Sequence, residues 1–322
     1  MERDPLRRGA GRCTPGASRG DLLRRDPKIA GFLFALGAYL AWGLFPIYFR
    51  ALRHVPPLEV LAHRVFWSAA LLGAFLAWRG GLGTAIAAAF PLRRLATLGA
   101  TTLLISANWL VFIWAVSSGH ILAASLGYFV TPLVNVLLGV VFLRESLSRL
   151  QLLSVLLAGA GVLWLLLGHG SSLWISLALA VTFGLYGLVR KAARIDAVGG
   201  LFVETALLAP PALIYLASRA AAGTGALGSS PGTSVLLALA GVITVLPLVW
   251  FAIGVQRLRL STMGFVQYLT PSSQFALAVA VYREPFTHDH AVAFAFIWVS
   301  LAIYSLDALL SRRVVVPEPP LD

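Results

Sequence analysis

Hydrophobic residues occur along the chain in long blocks separated by short polar stretches. A block of about 20 residues crosses a hydrocarbon core of about 30 Å as a helix. Blocks such as "LLSVLLAGAGVLWLLLG" do not alternate, so the strands of a membrane barrel are not predicted. The pattern predicts ten membrane-spanning helices, near residues 30–49, 58–78, 95–115, 121–142, 149–168, 172–189, 197–217, 235–254, 260–282 and 289–310.

The composition agrees with this pattern, since 59% of the 322 residues are hydrophobic, 12% are charged and the mean hydropathy is +0.85. A soluble domain this apolar would aggregate, so the sequence predicts an all-α polytopic membrane protein embedded in a lipid bilayer. The longest loop, 218–234, is too short for a soluble catalytic domain. No HExxH motif occurs, and Cys13 is the only cysteine. We therefore predict no enzyme, no cofactor and no metal site.

Basic residues are concentrated on one side of the predicted membrane. Of 25 Lys and Arg residues, 20 fall in the two tails or in the loops 79–94, 143–149, 190–196 and 255–259. Short loops rich in these residues stay in the cytoplasm, so both termini are predicted to be cytoplasmic. The formal net charge of +12 follows from this topology better than from nucleic-acid binding. We expect residues 1–28 to form a disordered basic tail and 312–322 a short C-terminal tail.

An internal repeat divides the chain. "GYFVTPLVNVLLGVVFLRE" (127–145) aligns without gaps on "VQYLTPSSQFALAVAVYRE" (266–284), and "WGLFPIYFR" (42–50) aligns on "FGLYGLVRK" (183–191). The repeat predicts two five-helix halves, 29–168 and 169–311. Because five is odd, the second half is inserted upside down. Inverted repeats are typical of alternating-access transporters, with the binding site near the middle of the membrane.

Several segments together resemble one family: "WGLFPIYFRAL", "VPPLEVLAHRVFWS", "NWLVFIWAV", "SLGYFVTPLVNVLLG" and "GFVQYLTPSSQFALAV". They are similar to the RarD group of the EamA branch of the drug/metabolite transporter superfamily, over about residues 29–310. The resemblance implies a secondary carrier of the bacterial inner membrane that exports metabolites or drugs. The long basic tail departs from the family pattern. Import or exchange by the same fold, a channel and a transport-accessory protein remain alternatives.

Three ionisable residues open the second predicted helix, in "EVLAHRVFWS". Glu59 follows Pro56 and Pro57, where a helix start favours a solvated negative charge, and His63 lies one turn later on the same face. Arg64 lies about 9 Å inside the span. Its side chain either extends to the membrane surface or faces the bundle interior, where it could bind an anionic substrate group. Glu59 and His63 are candidate proton carriers.

Glu204 is a second charge well inside a span, and it aligns with Arg64 at a spacing of 140 residues. The inverted halves place their backbones about 12 Å apart in depth, so we predict no direct contact. Glu204 is either a structural acid with a hydrogen-bonded partner or the carrier of a coupling proton, because burial disfavours its charged form.

The two Thr-Pro steps predict bends within spans, with Pro132 and Pro271 as hinge positions. A polar cavity with aromatic walls is predicted between the halves, suited to a small, moderately apolar substrate. Its candidate residues are Trp42, Tyr48, Arg64, Trp67, Asn108, Trp109, Tyr128, Asn135, Tyr186, Gln267, Tyr268 and Gln274.

Overall fold

The computed structural model describes residues 27–143, 147–167, 172–193, 197–257 and 266–310, and all regular structure within these ranges is helical. A π-helix, Leu277–Val281, directly follows α10. The helices are α1 (Pro27–Ala51), α2 (Pro57–Trp78), α3 (Leu82–Ala89), α4 (Leu92–Ser117), α5 (Ile121–Leu143), α6 (Arg149–Leu167), α7 (Leu173–Ala193), α8 (Ala197–Ala221), α9 (Pro231–Arg257), α10 (Leu269–Ala276) and α11 (His288–Leu310).

Within these ranges, eight helices are long and apolar enough to cross a membrane, which confirms an all-α polytopic membrane protein. Two shorter apolar helices, Arg149–Leu165 and Leu269–Val281, coincide with the predicted spans 149–168 and 260–282. Cys13, both tails beyond residues 27 and 310, and the repeated Arg144-Glu145 pair lie outside the described residues.

The short helix α3 was not predicted, because the sequence analysis treats residues 79–94 as a loop. Its sequence, "LGTAIAAA", is apolar and rich in alanine, which favours a helix. Eight residues rise only about 12 Å, too little to cross a membrane. The helix packs against α8 and α4. It is therefore a connecting element between α2 and α4.

The most extensive helix pairings recur when the two predicted halves are exchanged. Helix α1 packs on α9 and α10, as α7 packs on α4 and α5, and α2 packs on α9 as α8 packs on α4. Three further pairs join equivalent helices: α2 with α8, α5 with α10, and α6 with α11. This arrangement fits a two-fold repeat whose halves interlock.

Two glycines show the same equivalence between the predicted halves at the level of single contacts. A Cβ atom on Gly43 of α1 would lie 2.7 Å from the Cβ of Ser273, and one on Gly184 of α7 would lie 2.9 Å from Val134 Cγ1. Gly43 aligns with Gly184, and Val134 aligns with Ser273. Because a side chain would collide at either position, glycine is what allows these helices to approach closely.

The two Thr-Pro steps differ. Pro132 lies within α5, as predicted for a bend inside a span. Pro271 is instead the third residue of α10, which begins at Leu269 after a turn at Tyr268. Val266 and Gln267, just before this turn, are also helical, so the helix is interrupted about one turn before Pro271. This is where a proline leaves a backbone carbonyl without its usual donor, so the interruption is compatible with the predicted bend.

Candidate functional site

A cavity of about 340 Å³ lies between the two predicted halves. Its described lining residues come from α1, α2, α4 and α5 and from their equivalents α7, α8, α9 and α10, together with Gln267 just before α10, and none comes from α6 or α11. The predicted residues in its wall are Trp42, Arg64, Asn108, Trp109, Tyr128, Tyr186, Gln267, Pro271 and Gln274. The sequence-predicted site residues thus largely gather around one space.

Four other predicted cavity residues lie away from the wall. Tyr48 donates a hydrogen bond from its hydroxyl to the Leu236 carbonyl of α9 at 2.8 Å. The backbone of Trp67 lies against Gly241 of α9. Tyr268 packs against the apolar core at the turn before α10. Asn135 is exposed, unlike its equivalent Gln274, which is buried in the wall.

Arg64 is the buried cation of the cavity wall, with only 5% of the residue exposed. Its Nε donates to the Thr244 hydroxyl of α9 at 2.8 Å. The guanidinium carbon lies 4.0 Å from the ring centre of Trp109. No described carboxylate forms an ion pair with it. The side chain therefore faces the bundle interior, not the membrane surface.

Glu204 lies behind the wall and is also buried. Its Oε2 accepts a hydrogen bond from the Tyr186 hydroxyl at 3.1 Å and lies 3.5 Å from Arg190 Nη1. Arg190 also donates to the Tyr186 hydroxyl. Both partners line the cavity, so Glu204 reaches it through Arg190 and Tyr186. No contact joins Glu204 to Arg64 in the described part of the chain.

Amide side chains join helices of different halves around the cavity. Asn108 of α4 donates to the Leu179 carbonyl at 3.0 Å and to the Thr182 hydroxyl at 2.9 Å, both on α7. Gln274 of α10 donates to the Trp42 carbonyl of α1 at 3.2 Å. These bonds join helices of opposite halves around the cavity.

Glu59 is buried, in contrast to the prediction of a solvated carboxylate at a helix start. Its Oε2 lies 3.3 Å from Arg219 at the end of α8, and its Oε1 accepts the backbone N–H of Ala226 at 2.5 Å. It thus ties the start of α2 to the loop after α8. The neighbouring His63 is buried, and neither ring nitrogen has a hydrogen-bond partner among the described residues.

Glu284 makes a second tie of this kind, which the sequence analysis missed. Its two oxygens accept the backbone N–H groups of Ile121 and Leu122, each at 2.8 Å, at the start of α5. A carboxylate at a helix start satisfies free donors and the helix dipole. Burial raises the pKa of Glu284 above its usual value near 4.5, although the two N–H groups act in the opposite direction.

Arg50 completes this end of the molecule. It donates from Nη1 to the Val116 carbonyl at 3.1 Å and lies over the ring of Tyr282. We call the end that carries Glu59 and Glu284 the latched end. It contains the α1–α2, α4–α5, α8–α9 and α10–α11 connections. The repeated Arg-Glu pair was the signal in the sequence that could have identified Glu284.

Other residues missed by the sequence analysis include Arg190 and Thr244. Arg190 was counted as a cytoplasmic-loop arginine in the predicted topology, and Thr244 lies in an apolar block with no charged neighbour. Their roles depend on contacts between distant helices, which no local pattern reveals. In the described ranges, no group of His, Cys, Asp and Glu is arranged to hold a metal ion.

Comparison with known proteins gives consistent results. Residues 29–167 match the EamA-like transporter family. An uncharacterized transporter of Vibrio cholerae is 46% identical over 291 residues, covering 89% of this chain and 95% of the relative. Protein RarD of Escherichia coli is 45% identical over 288 residues, covering 88% and 96%. Chloramphenicol-sensitive protein RarD of Pseudomonas aeruginosa is 31% identical, covering 86% and 94%.

A solved crystal structure of a protein shares the fold. The two superpose with a TM-score of 0.57 at 20% sequence identity, over 90% of this chain and 100% of the other. At this identity the likeness concerns the fold alone.

Proposed function

The chain belongs to the EamA-like transporter family as a relative of the RarD proteins, and we propose that it is an alternating-access exporter of a small metabolite or drug-like molecule. One observation carries the proposal. A cavity is enclosed by the first four spanning helices of each predicted half, and two carboxylates, Glu59 and Glu284, tie together helices at one end. Relative movement of two such halves would close one end and open the other.

The position of the wall residues supports loading from the cytoplasm. On α2, no described residue closer to the latched end than Arg64 lines the cavity. At the end of the molecule opposite the latched end, the wall reaches Arg190 near the end of α7 and Val198 at the start of α8. The loops at this side carry most of the basic residues. By the positive-inside rule it faces the cytoplasm of a bacterial inner membrane, with both termini on that side. A cavity reaching this face favours export.

The wall residues divide into two roles. Arg64, Asn108, Trp109, Tyr128 and Gln274 form the substrate site, in which aromatic rings surround a few polar groups. Glu204 carries the coupling proton and communicates with the cavity through Arg190 and Tyr186. Protonation of Glu204 removes the negative charge that lies 3.5 Å from Arg190, so proton binding changes the charge that a substrate meets.

The test is uptake by inverted membrane vesicles that contain the protein. A mixture of metabolites and antibiotics is offered with and without a proton gradient, and accumulated compounds are read by mass spectrometry. We expect gradient-dependent accumulation of particular compounds, saturation and counterflow. Saturation with counterflow identifies a carrier, whereas their absence favours a channel. Product formation in sealed vesicles would indicate an enzyme.

Two carboxylate variants separate coupling from general damage. Glu204→Gln is expected to remove the dependence of flux on the proton gradient, because the amide cannot take up the proton. Glu284→Gln is the matched control, since Glu284 lies outside the cavity wall and is expected to keep the gradient dependence. Proton-coupled flux that persists unchanged in Glu204→Gln would rule out the coupling role.

A further inference from the structure

The charges around the cavity are unequal in sign. Its described lining residues include two arginines, Arg64 and Arg190, and no acidic residue. Arg190 is paired with Glu204 behind the wall at 3.5 Å. The Nε of Arg64 is bonded to a neutral hydroxyl, and no carboxylate in the described ranges pairs with this side chain. One positive charge therefore remains uncompensated beside the cavity.

The geometry of Arg64 leaves it ready for an anion. Its Nε–H is used by Thr244 and one face of its guanidinium lies against Trp109, which together fix its orientation. The two terminal nitrogens form no hydrogen bond with a described residue. Guanidinium groups bind carboxylates through paired N–H donors, and a buried charge without a partner is costly. A ligand carboxylate would satisfy both requirements.

The remainder of the wall favours a small apolar body. Aromatic side chains from both halves line it, including Trp42, Phe112, Phe183 and Phe251. The volume of about 340 Å³ lies near the lower limit of ligand pockets, about 300 to 1,000 Å³. In a zwitterionic ligand, binding of the carboxylate to Arg64 would hold the ammonium group close to the same guanidinium. The two positive charges repel each other, and no carboxylate among the described lining residues offsets this repulsion.

We propose that this cavity selects small aromatic monoanions over neutral, zwitterionic and cationic compounds of the same shape, with the anionic group bound by Arg64. The inference rests on the proposed transport function, because it assigns the substrate class of the same cavity. It adds a discrimination by net charge that family membership does not provide.

Four probes with one phenyl ring and similar chains test this discrimination: 3-phenylpropanoate, its amide, phenylalanine and phenylalaninamide. At pH 6 they are predominantly an anion, a neutral molecule, a zwitterion and a cation. Binding to the purified full-length protein in detergent is measured by isothermal titration calorimetry. We expect the anion to bind at least about tenfold more tightly than the other three, a difference of about 1.4 kcal/mol.

Arginine variants assign the effect to one side chain. Arg64→Met is expected to reduce binding of the anion to the level of the amide, and Arg64→Lys to keep part of the preference because the charge remains. Arg79→Met is the control, since Arg79 is exposed and lies outside the wall. Thermal unfolding of each variant checks that the comparison is made on folded protein.

Three results would overturn the inference: equal binding of the anion and its amide, tighter binding of phenylalanine, or a preference that survives in Arg64→Met. Failure of all four probes to bind the folded wild-type protein would also overturn it. Binding is measured without flux, so the two proposals can fail separately. Charge-selective binding with no vesicle transport would reject the transport proposal alone, and transport with a preference for cations would reject the substrate class alone.

Discussion

Arg64 and Glu204 occupy equivalent positions in the two predicted halves, but their surroundings are opposite. Arg64 lies in the wall of the cavity and has a neutral partner, Thr244, and an aromatic one, Trp109. Glu204 lies behind the wall and is joined to a cation, Arg190, and to Tyr186. The helix pairs that place them are equivalent, since α2 packs on α9 as α8 packs on α4.

This difference indicates that the two halves share their helix packing but not the charges of their buried side chains. Close helix contacts recur at Gly43 and Gly184, whereas the charged residues change sign and partner. Two identical halves would place the same charge at both positions. A divergent pair allows one half to hold an anion while the other half exchanges a proton.

The largest predicted effect is a difference in stability between variants of these two residues. Glu204→Leu removes the charged partner of Arg190 and is expected to lower the free energy of unfolding by about 2–3 kcal/mol. Arg64→Met removes a buried charge that has no carboxylate partner, so its loss is expected to be less than about 1 kcal/mol. Thermal or denaturant unfolding in detergent measures both.

The double variant Glu204→Leu, Arg190→Leu provides the control. It removes both members of the ion pair and is expected to recover much of the stability lost in Glu204→Leu. Equal destabilisation by the two single variants would contradict the difference in pairing between the halves.

The two close glycine contacts provide a second comparison. An added methyl group is expected to destabilise the protein in both halves. Gly43→Ala is expected to cost about 2 kcal/mol and Gly184→Ala about 1 kcal/mol through overpacking. Gly43 has the larger value because Ser273 Cβ is fixed to the backbone, whereas Val134 Cγ1 belongs to a side chain that can shift. Gly187→Ala, with no atom within 4 Å of the added Cβ, is the control and should not destabilise. A loss confined to one half would argue against equivalent packing.

The pH dependence of stability tests the contribution of Glu284 at the latched end. Its pKa is raised in the folded protein, so the folded state binds this proton more tightly than the unfolded state does. The stability linked to this proton is fully present below the usual value near 4.5 and is lost as the pH rises through the raised pKa. Glu284→Gln should remove this pH dependence. It should also cost about 1.5 kcal/mol at pH 7, because one carboxylate acceptor is lost from the start of α5.

An unfolding midpoint followed from pH 4 to pH 8 in both proteins checks this sign. A wild-type stability that instead rose with pH over this window, and did so only with Glu284 present, would contradict it.

The smallest effect concerns a contact present in one half only. Tyr48 of α1 donates to the Leu236 carbonyl of α9, whereas its equivalent on α7 is Val189. Tyr48→Phe is expected to cost about 0.5–1 kcal/mol of unfolding free energy, the usual value of one hydrogen bond. Tyr215→Phe, which removes a hydroxyl that has no hydrogen-bond partner among the described residues, should change the value less. Equal changes would indicate that the Tyr48 bond contributes nothing measurable.

The sequence predicted much of this fold because hydrophobic blocks and repeats are local signals. Eight long helices and two short ones lie where ten spans were predicted. The sequence predicted a bend at Pro271 but not the complete turn at Tyr268, because a Thr-Pro step has the same sequence in a bent helix and in an interrupted one. Helix α3 was also missed, because residues 79–94 were treated as a loop and eight residues are too few to form a span.

The site was predictable where a polar residue interrupts an apolar block, as at Arg64 and Asn108. Partners were not predictable, because Thr244 and Arg190 meet Arg64 and Glu204 only through packing of helices far apart in sequence. The solvent exposure of individual side chains was equally unpredictable from the sequence. Asn135 and Gln274 align in the repeat, yet one is exposed and the other is buried in the wall.

The uncompensated charge of Arg64 has an electrical consequence. A cavity loaded with a monoanion would cross the membrane field as a neutral unit, whereas the empty cavity would carry one positive charge. A full unit charge moving through 100 mV changes the free energy by about 2.3 kcal/mol. We expect an inside-negative voltage to draw the empty protein back to its cytoplasm-facing state. Capacitive currents on a solid-supported membrane would reveal this charge movement, and their persistence in Arg64→Met would assign it to another residue.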